Sequence, residues 1–165
     1  MKKLGIAILV GVVLALVFLT APMSIWDGSV PRPIKIAVRG RNGEVVSNAS
    51  VMVIHRMDEL VETSANKEEF LDFLKSSGHF FISDQQGRGT IIGRFGAGGG
   101  LGLFGRTGHF IADGVVVVSH PDFVDIRVPL QNFTQERRIP ISKSELAFTV
   151  FLDRKKPSEP GSTGH

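Results

Sequence analysis

IKIAVRGRNGEVVSNASVMV, residues 34–53, is the stretch that decides the fold of this chain. Ile34, Ile36 and Val38 alternate with other residues at the period of a strand that has one buried face. The sequence RNGE at residues 41–44 predicts a tight hairpin turn, because Asn and Gly tolerate positive φ angles. A second strand is predicted over residues 49–55. The stretch therefore indicates a β-sheet that packs one face on a core.

The same combination of short apolar runs and turn residues recurs along the chain. Residues 84–87 (DQQG) predict a turn, and the β-branched run at 115–118 (VVVV) is typical of a strand covered on both faces. Pro129 predicts an edge strand or a strand end. The remaining predicted strands are residues 80–82, 90–95, 126–130 and 146–152. This pattern predicts an all-β fold, a Greek-key β-sandwich of about seven strands with one short inserted helix.

The inserted helix is predicted between the second and third strands. Asn66 and Glu69 have the spacing of a capping box, and Gly78 is placed to end the helix. Its apolar stripe consists of Phe70, Leu71, Phe73 and Leu74. Because so wide a stripe must be buried against something, we expect the helix to close one end of the sandwich. A helix that binds a partner is the alternative.

Residues 93–108 (GRFGAGGGLGLFGRTG) are half glycine. They contain a G-x-G-x-x-G spacing, but β-type sequence follows it and no phosphate-loop lysine is present, so a nucleotide site is not predicted. We expect a flexible loop. Its candidate interaction residues are Leu101, Leu103 and Phe104. Exposed apolar side chains on such a loop would contact a partner or a nearby bilayer, or fold back onto the sandwich.

The N-terminus carries an uncharged apolar run at residues 4–19, directly after Lys2 and Lys3. A signal peptidase requires small residues at the cleavage site, whereas the break after Ala21 has Leu19 three positions before it and Pro22 just beyond. We therefore predict an uncleaved signal anchor. The positive-inside rule then places the chain in the cytoplasmic membrane as a single-pass protein, with the N-terminus inside and the domain outside. A cleaved signal peptide and a secreted domain are the alternative.

Composition and the positions of the prolines divide the chain into four parts. Residues 1–28 are the predicted anchor segment, and residues 29–33 (SVPRP) are a predicted stiff linker, because two prolines disfavour the hydrogen-bond ladder of a strand. Residues 34–153 are the predicted β-sandwich, and residues 154–165 are a predicted disordered tail. Of the 19 basic residues, Lys2 and Lys3 belong to the anchor, which leaves 17 against 16 acidic residues. The basic balance thus indicates no nucleic-acid partner. The chain has no cysteine, so the exported fold must hold without disulfides.

Three segments together resemble a known family. They are residues 36–53 (IAVRGRNGEVVSNASVMV), residues 83–89 (SDQQGRG) and residues 115–123 (VVVVSHPDF). The chain from about residue 34 to residue 152 resembles a carboxypeptidase regulatory-like domain of the transthyretin-like group of β-sandwiches. The resemblance implies a first strand, an Asn-Gly turn, a small residue that opens the second strand, and an Asp-x-x-Gly turn further on. It implies a fold that acts as a stabilising or interaction module rather than an activity.

Enzymes of related folds are excluded by composition. Transthyretin-like hydroxyisourate hydrolases carry a C-terminal Tyr-Arg-Gly-Ser signature, and intradiol dioxygenases hold iron with tyrosines and histidines. This chain contains no tyrosine. Neither activity is therefore predicted.

The histidines offer little for catalysis. No pair among His55, His79, His109 and His120 has the spacing that aims two imidazoles at one ion, so each is interpreted as structural. Ser119 and His120, beside Asp122 or Asp125, match a catalytic triad in composition only, because adjacent strand residues point to opposite faces. If the protein were an enzyme, the weak candidate residues would be His109, His120 and Asp122.

These observations predict a non-enzymatic, extracytoplasmic interaction or structural module, tethered to the membrane, that binds a protein or a cell-envelope partner. No catalytic residue, cofactor or metal is predicted. A small metal-dependent or hydrolytic exported enzyme is one alternative. An envelope polysaccharide-binding module is another, weakened because Trp26 is the one tryptophan and lies outside the predicted domain. Asn48 and Asn132 begin glycosylation sequons, which matter only in a glycosylating host.

Overall fold

The fold is taken from a computed structural model that describes residues 10–13, 15, 24–55, 58, 66–102, 105–134 and 136–156. Its strands are β1 (Ser24–Gly40), β2 (Ser50–Ile54), β3 (Phe80–Ile82), β4 (Arg88–Gly102), β5 (Gly105–Ile111), β6 (Val115–His120), β7 (Phe123–Pro129), β8 (Arg138–Pro140) and β9 (Leu146–Leu152). Two helices, α1 (Lys67–Ser76) and α2 (Gln131–Thr134), accompany them. The chain is therefore mostly β with few helices, as the sequence predicted.

The strands form two sheets. The five-stranded sheet has the order β8-β5-β4-β1-β9, and the four-stranded sheet has the order β3-β2-β6-β7. After β1 the chain crosses between the sheets every two strands. Neighbouring strands are antiparallel except for β1 and β9, which run parallel. The described residues thus contain nine strands rather than about seven; the two additional strands are β5, which begins in the glycine-rich segment, and β8.

The core lies between the two sheets, and the alternating residues predicted to be buried form it. Ile34, Ile36 and Val38 on β1 are at most 1% exposed, and they pack with Phe95 and Phe110 of the same sheet. The four-stranded sheet contributes Val51, Val53, Val116, Val118 and Phe123 to the same cluster. Burial of each such side chain stabilises the fold by about 1.5–3 kcal/mol. Period-two alternation therefore located the core correctly.

The predicted turns are present, but the strands that they join lie in different sheets. Gly43 has a φ of 87° and its N–H donates to the Gly40 carbonyl at 2.9 Å. Beyond this turn the chain crosses from β1 in one sheet to β2 in the other. Asp84 Oδ1 likewise accepts from the N–H groups of Gln86 and Arg88 in the second turn. The Gly43 turn closes one antiparallel bridge, between Arg39 and Val45, before the chain crosses to the other sheet. Both turns therefore redirect the chain between the two layers.

Helix α1 has the predicted capping box. Asn66 Oδ1 accepts hydrogen bonds from the N–H groups of Glu68 and Glu69, and Glu69 Oε2 accepts from the Asn66 N–H. Gly78, just past the helix, has a φ of 74°. The helix buries Phe70 and Leu74 with Ile54 in a second apolar cluster, against Met52, Phe73, Phe80 and Val117. It covers the outer face of the four-stranded sheet, so the expectation that it closes one end was wrong.

The predicted linker is part of a strand. Residues 24–33 continue β1 and pair with β4 from Leu101 back to Ile92, so the division at residues 28 and 33 does not appear in the structure. Strand β9 begins to pair with β1 only at Ile34. Pro31 and Pro33 are accommodated because they lie on this edge, where no second ladder needs their missing N–H groups. Arg32 donates from Nε and Nη2 to the Lys143 and Ile141 carbonyls beside them.

The two ends of the chain differ in how much the structure describes. Most of the predicted anchor lies outside the described residues; residues 10–13 and 15 are helical. No helix within the described ranges is long and apolar enough to cross a membrane. At the other end, Arg154 forms a β-bridge with Phe123 and a bidentate pair with Glu44, so the predicted disordered tail began too early. Residues 157–165 lie outside the described part.

Candidate functional site

The glycine-rich segment forms two paired strands and an arm of the five-stranded sheet. We define the arm as residues 24–29 of β1, 96–102 of β4 and 105–109 of β5, with β4 in the middle. Its base is formed by Val30, which pairs with Phe95, and by Phe110, which pairs with Ala97; the two phenylalanines are fully buried. Beyond the base, Ile25 is 89% exposed and Leu101 is 40% exposed. The expectation of a flexible loop is corrected to a strand pair over the described residues 93–102 and 105–108.

Glycine is required in the arm by close approach of the backbones. A Cβ added at Gly99 would collide with the Thr107 carbonyl oxygen and lie 2.5 Å from the Gly108 Cα. Gly108 faces Gly99 across the ladder, and its φ of 150° also favours glycine. The sequence suggested flexibility because glycine is permissive in isolation. In the sheet the same glycines allow β4 and β5 to approach each other closely.

Trp26 lies across these glycines. It pairs with Gly99, which has no side chain, and its indole Nε1 donates to the Thr107 carbonyl on β5 at 3.2 Å. The Arg106 guanidinium lies 5.2 Å from the centre of the Trp26 ring system, a cation–π distance. The ring thus links β1 to β5 over β4. Trp26 belongs to the sheet and not to a segment outside the domain, contrary to the sequence expectation.

The other face of the arm carries an open groove with a glycine floor. Asp27, Gly98 and His109 stand side by side across three strands. A cavity of about 650 Å³ lies over this row, lined also by Ile111 and Arg138. Asp27 and Arg138 give it groups of opposite charge. His109, a weak candidate from the sequence, therefore lines a surface groove together with Asp27.

A buried polar cluster lies beside the base of the arm, and it was not predicted. His55, Asp58 and His79 are each at most 8% exposed. The Asp58 carboxylate accepts the His55 backbone N–H at 2.9 Å, and its Oδ2 lies 3.2 Å from His79 Nδ1. The two imidazole centres are 5.0 Å apart, and the His55 ring packs edge-on to Phe95 at 5.3 Å. The cluster therefore connects the four-stranded sheet to the base of the arm.

Burial makes this cluster sensitive to protonation. Desolvation lowers the pKa of His55, and the nearby His79 lowers it further. His55 Nδ1 lies 3.3 Å from the Asp113 carbonyl oxygen. Within the described residues, His55 Nε2 and His79 Nδ1 have no hydrogen-bond partner of good geometry. A proton added here would place a charge in a poorly solvated site.

The cluster was missed because its members are far apart in the sequence. His55 directly follows β2 and His79 directly precedes β3, and these strands pair antiparallel, so their ends meet. The spacing of the histidines in the sequence did not predict that β2 and β3 pair. Histidine and carboxylate are metal-ligand types, yet no group of His, Cys, Asp or Glu among the residues described is arranged to hold a metal ion.

The other sequence candidates are dispersed. His109 is on β5 and His120 on β6, which belong to different sheets. His120 Nδ1 accepts the Asp122 backbone N–H at 3.1 Å, a local turn contact. Ser119 Oγ donates to Asp125 Oδ1 at 2.9 Å. These contacts hold the turn after β6 and assemble no triad with His109.

The interaction-loop candidates fall only partly within the described chain. Leu101 lies near the end of β4, where it pairs with Arg106 of β5. Leu103 and Phe104 lie outside the described residues. The potential glycosylation sites Asn48 and Asn132 are both exposed.

Comparisons with known proteins identify no family. No protein-family model matches the chain, and no curated protein matches it. Among solved structures it is similar to crystal structures of catechol 1,2-dioxygenase from Acinetobacter radioresistens. The wild-type enzyme has 15% identity and a TM-score of 0.42, and one of its mutants has 15% identity and a TM-score of 0.41. Each match covers 82% of this chain and 55% of the dioxygenase, so the chain spans about half the enzyme's length.

Proposed function

We propose that the protein is a non-enzymatic interaction module, tethered to the cytoplasmic membrane by residues 4–19, whose arm binds a partner in the cell envelope. The observation that carries this proposal is the arm. It extends the five-stranded sheet past the core, and its described residues are exposed or only partly buried. An enzyme would need convergent polar groups; an extended sheet surface instead suits a second macromolecule.

The free edge of β1 supports this role. In the described part of the chain, residues 24–30 pair with β4 on one side and with no strand on the other. Natural proteins block such edges, because unpaired N–H and C=O groups recruit a further strand. Pro31, Pro33 and the Arg32 contacts block the edge beyond residue 30. The edge of β1 at residues 24–30 is therefore open to a further strand, whereas the same edge beyond residue 30 is blocked.

The groove on the outer face supports it further. Two interstrand spacings make the groove roughly 10 Å wide between the side chains of β1 and β5. Asp27 forms one wall, and His109, Ile111 and Arg138 form the other. Such a groove accommodates an extended chain or a planar side chain, and its opposite charges favour polar contacts.

The fold assignment belongs to the same proposal. The chain alternates between sheets in pairs of strands, as Greek-key sandwiches do. The turn at Gly43 and the Asp84 turn occupy the positions that the resemblance to carboxypeptidase regulatory-like domains implies. We infer that the domain is a Greek-key sandwich of this type, with the arm as its own elaboration.

Photocrosslinking in intact membranes tests the proposal. A benzophenone amino acid at Ser29 or His109, both exposed on the arm, should give the same adduct. Phe151, which is 56% exposed on β9 at the far edge of the sheet, is the control position and should not give it. No specific adduct from the arm, or an equal adduct from Phe151, would contradict the proposal.

Metal analysis separates this module from the enzyme alternative. The purified full chain and its His109→Ala and His120→Ala variants should bind no stoichiometric divalent metal. A stoichiometric metal that either substitution removes would favour a metal-dependent enzyme.

A further inference from the structure

The free end of the arm, which we call the tip, is the described part of the domain nearest to the anchor along the chain. The tip consists of residues 24–26, 100–102 and 105–107. Strand β1 begins there, with Ser24 paired to Leu101, and runs away from it toward the core. The chain therefore enters the domain at the tip and not at the sandwich.

The chain between the anchor and the tip is short. Four residues, 20–23, separate Leu19 from Ser24. Five Cα-to-Cα steps span at most about 18 Å when fully extended. The interfacial layer on each side of a bilayer is about 5–7 Å thick. If the apolar run ends at the hydrocarbon boundary, Ser24 at the tip lies in the headgroup layer or within roughly 13 Å above it.

The side chains at the tip have the chemistry of that layer. Trp26, Leu101 and Arg106 share one face of the sheet, because Trp26 pairs with Gly99 and Leu101 pairs with Arg106. Ile25 is on the opposite face and is 89% exposed. Tryptophan is enriched at membrane interfaces, where its ring is apolar and its N–H is polar. An arginine beside it is attracted to anionic lipid headgroups.

We propose that the tip inserts into the headgroup layer of the outer leaflet, with Ile25, Trp26 and Leu101 beside the first carbons of the acyl chains, next to the headgroups, and Arg106 at the lipid phosphates. This inference rests on the proposed function, since it takes residues 4–19 as the membrane span. It assigns the tip to lipid and leaves the groove and the open edge at residues 27–30 for the partner. The arm would then hold the domain at the membrane surface.

Trp26 reports on this contact directly, because it is the one tryptophan and the chain has no tyrosine. The full chain is reconstituted in vesicles of phosphatidylcholine and phosphatidylglycerol whose acyl chains carry bromine at a shallow or a deep position. We expect shallow bromine to quench Trp26 emission strongly and deep bromine to quench it weakly. Emission that neither lipid quenches would overturn the inference and leave the tip to water or to a partner.

Variants separate tip contact from general proximity to the membrane. The Ile25→Asp, Leu101→Asp double variant should lose the quenching by shallow bromine. In the parent chain, vesicles with phosphatidylglycerol should quench Trp26 more strongly than vesicles of phosphatidylcholine alone, and Arg106→Glu should abolish this difference. Ile82→Asp is the matched control, because Ile82 is 59% exposed on β3 of the other sheet. It should behave as the parent chain. Circular dichroism of each variant establishes that the fold is retained. Quenching that survives in the double variant would overturn the inference.

Alkaline carbonate extraction distinguishes failure of this inference from failure of the proposed function. A chain that stays in the membrane pellet while Trp26 remains unquenched retains its anchor and refutes only the tip contact. A chain that carbonate releases, and whose intact mass begins after residue 20, refutes the anchor and the tip contact together.

Discussion

Gly99→Ala should open the arm, whereas Gly96→Ala, three residues away on the same strand, should not. A Cβ at Gly99 would collide with the Thr107 carbonyl oxygen and lie 2.5 Å from the Gly108 Cα, whereas real Cβ contacts essentially never fall below 3.0 Å. The strands β4 and β5 must therefore separate by at least about half an ångström. A Cβ at Gly96 meets nothing within 4 Å.

The magnitude follows from comparing the two variants. Each Gly→Ala change lowers the entropy of the unfolded chain and so stabilises by about 0.4–1 kcal/mol, an effect that cancels between them. What remains is the cost of overpacking at Gly99, typically about 1–3 kcal/mol. The obstructing atoms belong to the backbone, so rotation of a side chain cannot relieve it. We therefore expect the arm of the Gly99 variant to open about 5-fold to 150-fold more often.

Amide hydrogen exchange measures this opening strand by strand. Protection at residues 96–102 and 105–109 should fall in the Gly99 variant and persist in the Gly96 variant, while residues 34–40 keep their protection in both. The emission of Trp26 should shift as well, since the Trp26 Nε1 contact with the Thr107 carbonyl depends on the same approach. Equal protection of the arm in the two variants would refute the argument that glycine is needed for close packing.

Two further predictions concern stability. Burial lowers the pKa of His55 below its ordinary 6.5, so the unfolded chain binds a proton at a higher pH than the folded chain does. The contribution of His55 to the free energy of unfolding should be fully present above pH 6.5 and should fall by up to about 1.4 kcal/mol for each pH unit in the window below it. His55→Leu should therefore flatten the dependence of the melting temperature on pH. A slope equal to that of the control variant His109→Leu would contradict this. Asn66→Ala should cost about 1 kcal/mol in chemical denaturation, because the Glu68 and Glu69 N–H groups lose their acceptor. Asn66→Asp keeps that acceptor, and equal midpoints for the two variants would show that the cap does not stabilise the domain.

Local sequence signals predicted the parts of the fold that depend on near neighbours. The alternation of Ile34, Ile36 and Val38 placed β1 and its buried face, and the Asn66 and Glu69 pair placed the start of α1. Pro129 ends β7, an edge strand, as its missing N–H requires. Each of these features is set within a few residues, so the sequence alone was sufficient.

The candidate site could not be predicted in the same way. The buried cluster joins His55 and His79, which meet only because β2 and β3 pair. Pro31 and Pro33 argued against a strand locally, but the edge position of this part of β1 accommodates them. The glycines argued for a loop, whereas the ladder on both sides of β4 holds them extended.

By itself, the sequence determined that this protein is mostly β, that its core comes from alternating strands and that one capped helix is inserted. Those properties follow from side-chain periodicity and turn chemistry, which act over a few residues. Only the tertiary structure decided that the chain from Ser24 to Ser29 and the glycine-rich strands form one arm, with Trp26 lying across Gly99. An isolated glycine-rich strand would lose too much conformational entropy if it stayed extended. In the sheet, the strands on both sides of β4 supply hydrogen bonds, and the Trp26 ring packs across it.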